Sequence, residues 1–191
     1  IDEIQRNLKK KEAIVEYVVN EPTDTIHPGQ LYRFIITKDK VDLSLENIGF
    51  EYVSQIERTH NFLSNPAYLF TRKNEFIEYC TSANKLYNTL LAPVAALISG
   101  KHLTIIPDDK LSYIPFDALL SAMPDTSKMD FRNLNYLVYD YSINYSYSST
   151  LLFNYFEVEK HGSKKLLAFA PNYDYPESAS TSAPRGEKLL P

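Results

Sequence analysis

The run His102-Leu-Thr-Ile-Ile106 constrains the fold of this chain more than any other segment. It is short, apolar, and bounded by Gly100 on one side and Pro107-Asp108-Asp109-Lys110 on the other. Such a run reads as a strand buried on both faces, which needs a covering layer above and below it. The segment before it supplies one layer. Ile77, Cys80, Ala83, Tyr87, Leu90 (with Leu91), Val94 and Leu97 lie three or four residues apart, so a long helix is expected to pack against a core along one stripe. Pro93 is expected to kink that helix, and Gly100 stands where a left-handed C-terminal cap is wanted. Beyond the strand, Pro107 to Lys110 have turn chemistry. Pro115 fixes a helix-compatible φ, so a helix is predicted from there to about Met123, with Asp117 near the positive end of its dipole and Pro124 as its stop.

The rest of the chain completes an α/β pattern. Ile1, Ile4 and Leu8 have helical spacing. Ala13 to Asn20 and Leu31 to Thr37 are β-branched and aromatic, and Lys38-Asp39 turns into a third run, Lys40 to Leu45, which predicts an antiparallel meander. Tyr52, Ile56 and Leu63 mark a further helix. Residues 124–135 read as a polar loop. From Leu137 to Tyr147 apolar and polar residues alternate, with Leu137, Tyr139, Tyr141, Ile143, Tyr145 and Tyr147 on one side, which predicts a strand with one apolar face. Ser148 or Ser149 is placed to cap a helix starting at about Thr150. Lys165 to Ala170 reads as another strand, and the Pro-, Ser- and Ala-rich residues 176–191 as a loop or disordered tail. Strands separated by helices in the second half predict an α/β sheet, partly parallel, with the meander at one edge. The expected organisation is one domain portion over 1–175, made of a meander (1–45), a helical pair (46–100) and an α/β part (101–175).

Composition excludes several function classes. The 191 residues carry a net charge of −4, which leaves no electrostatic footprint for nucleic acid or an acidic membrane. Lys9-Lys10-Lys11 is the only basic run, and Glu12 and Glu16 follow it. No apolar run has transmembrane length and no signal peptide is visible. One cysteine, Cys80, gives no internal disulfide and fits a reducing, cytoplasmic compartment. The chain begins at Ile1 and ends at Leu189-Leu190-Pro191, and both ends are expected to be cuts in a longer polypeptide.

The candidate chemistry is sparse. Cys80 lies in the apolar stripe of the long helix, where a core thiol is expected rather than a nucleophile with a neighbouring base. His27, His60, His102 and His161 show no metal-ligand spacing, and no cofactor or metal is expected. Ser99-Gly100-Lys101 lacks the earlier glycine of a phosphate loop. A tyrosine face from Tyr139 to Tyr147 could stack RNA bases, but such a platform needs a basic surround, and this stretch carries Asp140 instead. Asp108 and Asp109 are expected to form a solvated turn; strand-end aspartates, with Asp117, are also where α/β folds place catalytic groups.

The order of segments resembles one family. Ile4-Gln-Arg-Asn-Leu-Lys-Lys-Lys-Glu-Ala-Ile-Val-Glu-Tyr-Val-Val19, Leu31 to Thr37 with its Lys38-Asp39 turn, Ile105 to Leu120, Tyr136 to Leu152, and Leu166-Leu-Ala-Phe-Ala-Pro-Asn-Tyr173 are similar to successive blocks of the CHAT domain, the caspase-like domain often attached to tetratricopeptide repeats. The resemblance implies a caspase-like mixed sheet with flanking helices. In active members it also implies a cysteine–histidine peptidase acting on a protein or peptide substrate, with tetratricopeptide repeats or a regulatory protein as partners and neither nucleic acid nor membrane. The family's histidine lies in a His-Gly motif after a later strand, and its cysteine in a Ser-Ala-Cys-type motif. His161-Gly162 precedes the strand at Leu166 and no Ser-Ala-Cys is present, so no catalytic residue carries over. The chain is expected to be truncated before the catalytic half. The loop Pro171 to Tyr175, with Asn172 and Tyr173, is expected to border the cleft. The alternative is a degenerate scaffold of the same family that binds proteins without catalysis.

Overall fold

Nine residues of β1, Glu12–Asn20, form the spine of the sheet. A computed structural model of the chain describes residues 1–24, 26–65, 67 and 72–154. The expected strand at Lys165 to Ala170, the loop at Pro171 to Tyr175, the tail and His161 lie outside the described residues. β1 pairs antiparallel with β2, Gly29–Thr37, which pairs antiparallel with β3, Val41–Ile48. On its other side β1 pairs parallel with β4, His102–Ile106, and β4 pairs parallel with β5, Ile143–Tyr145. The sheet order is β3-β2-β1-β4-β5. This is the expected mixed α/β architecture, with the meander at the N-terminal side.

One face of β1 is covered along its length, and the other only around Ile14, with Val18 exposed on that side. Ala13, Val15 and Tyr17 join Leu31 and Ile35 of β2 and Leu103 and Ile105 of β4 on one face. Against them pack α2, Phe50–Ser64, and α3, Lys73–Leu90. On the opposite face Ile14, Ile36 and Ile106 meet Leu8, Ile4 and Leu152, which come from or beside α1, Asp2–Asn7, and α5, Ser149–Asn154. Ser148 Oγ accepts from the Leu151 amide at 3.0 Å, so it is Ser148 that caps α5. Gly29 permits a close crossing: a Cβ there would stand 2.2 Å from the Asn20 carbonyl oxygen. Gly100 adopts φ +68, the left-handed cap conformation.

Four expectations need correction. The long helix does not run through Pro93 to Leu97 with a kink. It ends at Leu90, and the chain continues as a 3-10 turn, Ala92–Val94, and a short α4, Ala95–Ile98. Proline lacks the N–H an unbroken helix would use and disfavours helical geometry in the residue before it. The buried stripe of α3 is also rotated from the expected one, to Phe76, Tyr79, Cys80, Ala83, Leu86 and Leu90; Ile77 and Tyr87 pack at its margin.

The helix expected from Pro115 to Met123 is a single 3-10 turn, Phe116–Ala118. Its backbone groups are engaged elsewhere. The Ala118 carbonyl accepts from Tyr79 Oη at 2.7 Å and the Leu120 carbonyl from Asn84 Nδ2 at 3.0 Å. Leu119 accepts from the Leu137 amide, Ser121 donates to the Asn135 carbonyl, and Leu120 bridges antiparallel to Tyr136.

The strand expected over Leu137 to Tyr147 shrinks to Ile143–Tyr145, with a 3-10 turn at Leu137–Tyr139. β4 is five residues long and pairs with only three of β5, while the Asp140 and Tyr141 amides turn back onto the Leu137 carbonyl. Leu137 is buried and Tyr147 is 95% exposed, so the alternating residues share no face.

Candidate functional site

β1, β4 and β5 are parallel neighbours, so their carboxyl ends lie at one end of the sheet. After β1 the chain moves to β2 on one side; after β4 it moves to β5 on the other. Such a reversal leaves a crevice at the carboxyl ends of the two central strands, where open α/β sheets place their ligands. The turn Pro107 to Tyr113 fills this position. Asp108 is not free in solvent as the sequence predicts: its Oδ2 accepts from the Val19 amide at 2.8 Å, tying the turn to β1. Lys110 Nζ reaches Glu21 Oε1 at 2.8 Å, and that hydrogen bond holds the Lys110 ammonium above its ordinary pKa. Asp109 takes φ +44, a left-handed conformation that costs a non-glycine residue about 1 kcal/mol.

A cleft opens on each side of this turn. One, of about 340 Å³, is lined by Pro107, Ser112, Tyr145, Ser146 and Tyr147. The other, of about 230 Å³, is lined by Ile56, Glu57, His60, Lys110 and Tyr113. Tyr145 is held rigidly: its hydroxyl donates to Asp117 Oδ2 at 2.6 Å and accepts from the Phe116 amide at 2.8 Å. Burial, followed by the Asp117 contact, raises its pKa above the ordinary phenol value. Asp117 thus serves as an acceptor for Tyr145, not as a partner for a helix dipole. Tyr113 is 65% exposed, and His60 lies against it with ring centroids 5.7 Å apart.

The first cleft offers aromatic walls and hydroxyls; the second adds Lys110, the Glu57 carboxylate and the His60 imidazole. Ser64 Oγ lies 3.4 Å from His60 Nε2, but His60 Nδ1 faces the Tyr113 carbonyl oxygen at 3.3 Å, and no carboxylate among the described residues bonds the ring. Cys80 is buried in α3, and burial pushes its thiol up to about 11, so it is protonated and inert at neutral pH. His27 pairs with Asp24 in an exposed loop, and His102 opens β4. Among the described residues no group of three or more His, Cys, Asp and Glu side chains is placed to hold a metal ion. Sequence reasoning did not find Tyr145 as the partner of Asp117, nor the Glu21–Lys110 contact, whose members are 89 positions apart.

The segment that builds this end of the sheet also identifies the chain. A family model described as CHAT domain matches residues 81–184. The chain belongs to the CHAT domain family. The match starts inside α3, takes in β4, the turn with its two clefts, β5 and α5, and continues past the described residues. Three of the five resembling blocks fall within the CHAT match, from Ile105, Tyr136 and Leu166; the meander lies before it. No curated protein matches the chain. No helix among the described residues of this CHAT chain is long and apolar enough to cross a membrane.

Proposed function

We propose that this chain is the non-catalytic N-terminal portion of a caspase-like cysteine peptidase, and that the full-length parent hydrolyses peptide bonds. In that parent a thiolate attacks the carbonyl, histidine acts as base and backbone N–H groups hold the oxyanion. The observation that carries the reading is the CHAT match over 81–184 in a chain whose single cysteine is locked in a helix core. The described residues then act as scaffold, and the carboxyl-end clefts border the peptide path. Tetratricopeptide repeats or a regulatory protein are the parent's partners, in the reducing cytoplasm that a lone thiol fits. The test is an assay of the purified chain against mixed fluorogenic peptides. No turnover is expected; turnover that Cys80→Ala abolishes would sink the reading. In the parent, substitutions at Asn172 or Tyr173 are expected to alter peptide kinetics.

A second reading is favoured by the clefts themselves, whose walls are mostly tyrosine, serine and charged side chains with no cysteine among them: a degenerate CHAT scaffold that binds proteins without catalysis. Treating the full-length parent with a thiol-reactive peptidyl ketone separates the two. Stoichiometric labelling at a cysteine in a Ser-Ala-Cys context supports the peptidase, and no labelling supports the scaffold.

A further inference from the structure

At the opposite end of the sheet, the amino ends of β1 and β4 bring together cations that are far apart in sequence. Lys9, Lys10 and Lys11 turn into β1, and Lys101 and His102 begin β4, 90 positions later. Parallel pairing sets Glu12 beside His102, and the His102 amide donates to the Lys11 carbonyl at 2.7 Å. Lys101 Nζ donates to the Lys10 carbonyl at 2.7 Å, which fixes the ammonium next to the lysine turn without neutralising it. The nearby carboxylate, Glu12, is taken by Lys9: it stands 3.6 Å from the ammonium and accepts from the Lys9 amide at 2.9 Å. Lys10, Lys11 and Lys101 make no ion pair among the described residues. Lys9, Lys10, Lys11, Glu12 and His102 line an open concavity of about 500 Å³.

Like charges held side by side destabilise a sheet end, and no side-chain bond requires lysine at the exposed positions Lys10 and Lys11 among the described residues. The cluster also stands out against a chain of net charge −4. We infer that this concavity is a docking surface for a polypeptide segment rich in aspartate and glutamate. Its size suits a few carboxylate side chains. The acidic remainder of the molecule would repel a polyanion that extends beyond the patch, which favours a short acidic peptide over nucleic acid. The site is independent of the carboxyl-end clefts and of whether the parent is a peptidase.

The test uses the full chain and a fluorescein-labelled oligo-glutamate peptide read by anisotropy, with a single-stranded oligonucleotide and phosphatidylserine vesicles as comparison probes. Oligo-glutamate is expected to bind and to be released as salt rises. Lys10→Glu with Lys11→Glu is expected to weaken it roughly tenfold or more, and Lys101→Gln, which removes one charge without reversing it, about threefold. Lys128→Glu, in an exposed loop, leaves binding unchanged. Circular dichroism confirms that each variant is folded. Equal affinity in the folded double variant, no binding of oligo-glutamate, or tighter binding of the oligonucleotide or the vesicles overturns the proposal.

Discussion

Arg33 shows how one side chain can join three elements. It is 1% exposed, yet all three of its guanidinium nitrogens are bonded: Nη2 meets Glu46 Oε2 at 2.7 Å on β3, Nε reaches Ser44 Oγ, and Nη1 donates to the Thr89 carbonyl in the last turn of α3. Tyr17 Oη donates to the next carbonyl, Leu90, at 3.1 Å. A helix leaves its last carbonyls unpaired, and at this buried end a cation also complements the helix dipole. Replacing Arg33 with Met leaves the Thr89 carbonyl without its donor and takes the partner from the half-exposed Glu46 carboxylate, while Tyr17 still holds Leu90, so a loss of about 2–3 kcal/mol is expected from urea denaturation. Glu46→Gln should cost less, about 1 kcal/mol, because Glu46 is partly exposed and the guanidinium keeps its other acceptors. Tyr145→Phe, which deletes the bonds to Asp117 and the Phe116 amide, should cost about 1–2 kcal/mol and loosen the wall of the larger cleft. A larger loss for Glu46→Gln than for Arg33→Met would contradict this ordering.

At the scale of elements, the backbone at two glycines gives a paired prediction. Gly100 holds φ +68 at the end of α4, and Gly49, before α2, holds φ −104 with nothing within 4 Å of an added Cβ. Gly100→Ala should therefore destabilise by about 1 kcal/mol, while Gly49→Ala should be neutral within about 0.5 kcal/mol. Thermal melts of the two variants side by side check this. α3 gives Phe76, Tyr79, Cys80, Ala83, Leu86 and Leu90 to the main core cluster. Leu86 is fully buried in its stripe, so Leu86→Ala should cost about 2–5 kcal/mol by transfer and cavity terms together. The same helix explains why Phe116 to Leu120 is not a helix. Tyr79 takes the Ala118 carbonyl, which a helix would have bonded to the amide four residues on, and Asn84 takes the Leu120 carbonyl, whose position four residues on is Pro124 and offers no N–H.

For the whole molecule, the tyrosines set an alkaline limit. Burial raises the phenols of Tyr17, Tyr52, Tyr79 and Tyr145 above their ordinary value of 10.0. A group whose folded pKa is raised contributes stability that is complete below its unfolded value and is lost as pH rises toward the folded one. Stability should thus be level approaching pH 10 and fall above it, with phenolate absorbance of these tyrosines appearing only on unfolding. At the acidic end, hydrogen bonds from His27 to Asp24, from Ser127 to Asp125 and from Asn133 to Asp130 hold those carboxyls below their ordinary 3.8. Their contribution is present above that pH and lost as pH falls through the lowered values. Urea midpoints measured across both windows check the two signs.

Much of this architecture is legible in the residues alone. The meander, the strand at His102 to Ile106, the left-handed Gly100 and the serine cap of α5 follow from periodicity and turn chemistry, because these are local properties of the chain, and the order of the resembling blocks points to the family. β4, expected to be buried on both faces, is buried at Leu103 and Ile105 on one and only at Ile106 on the other. Apart from the helix break before Pro93, which is local, the parts that were not legible share one cause: backbone and side-chain groups whose partners lie far away in sequence. The alternation from Leu137 to Tyr147 is a real strand pattern, but β4 is too short to pair with it, so most of it turns instead. Pro115 is a good helix start, but α3 claims the carbonyls that follow. Asp108 and Asp117 have no distinguishing local context; Val19 and Tyr145, brought to them by the parallel strands, define their roles. The lysine turn at Lys9 to Lys11 reads in sequence as a short basic run followed by acids. Only the parallel pairing of β1 with β4 sets Lys101 and His102 beside it, because a register between distant strands is fixed by the packed core and not by either strand's own residues.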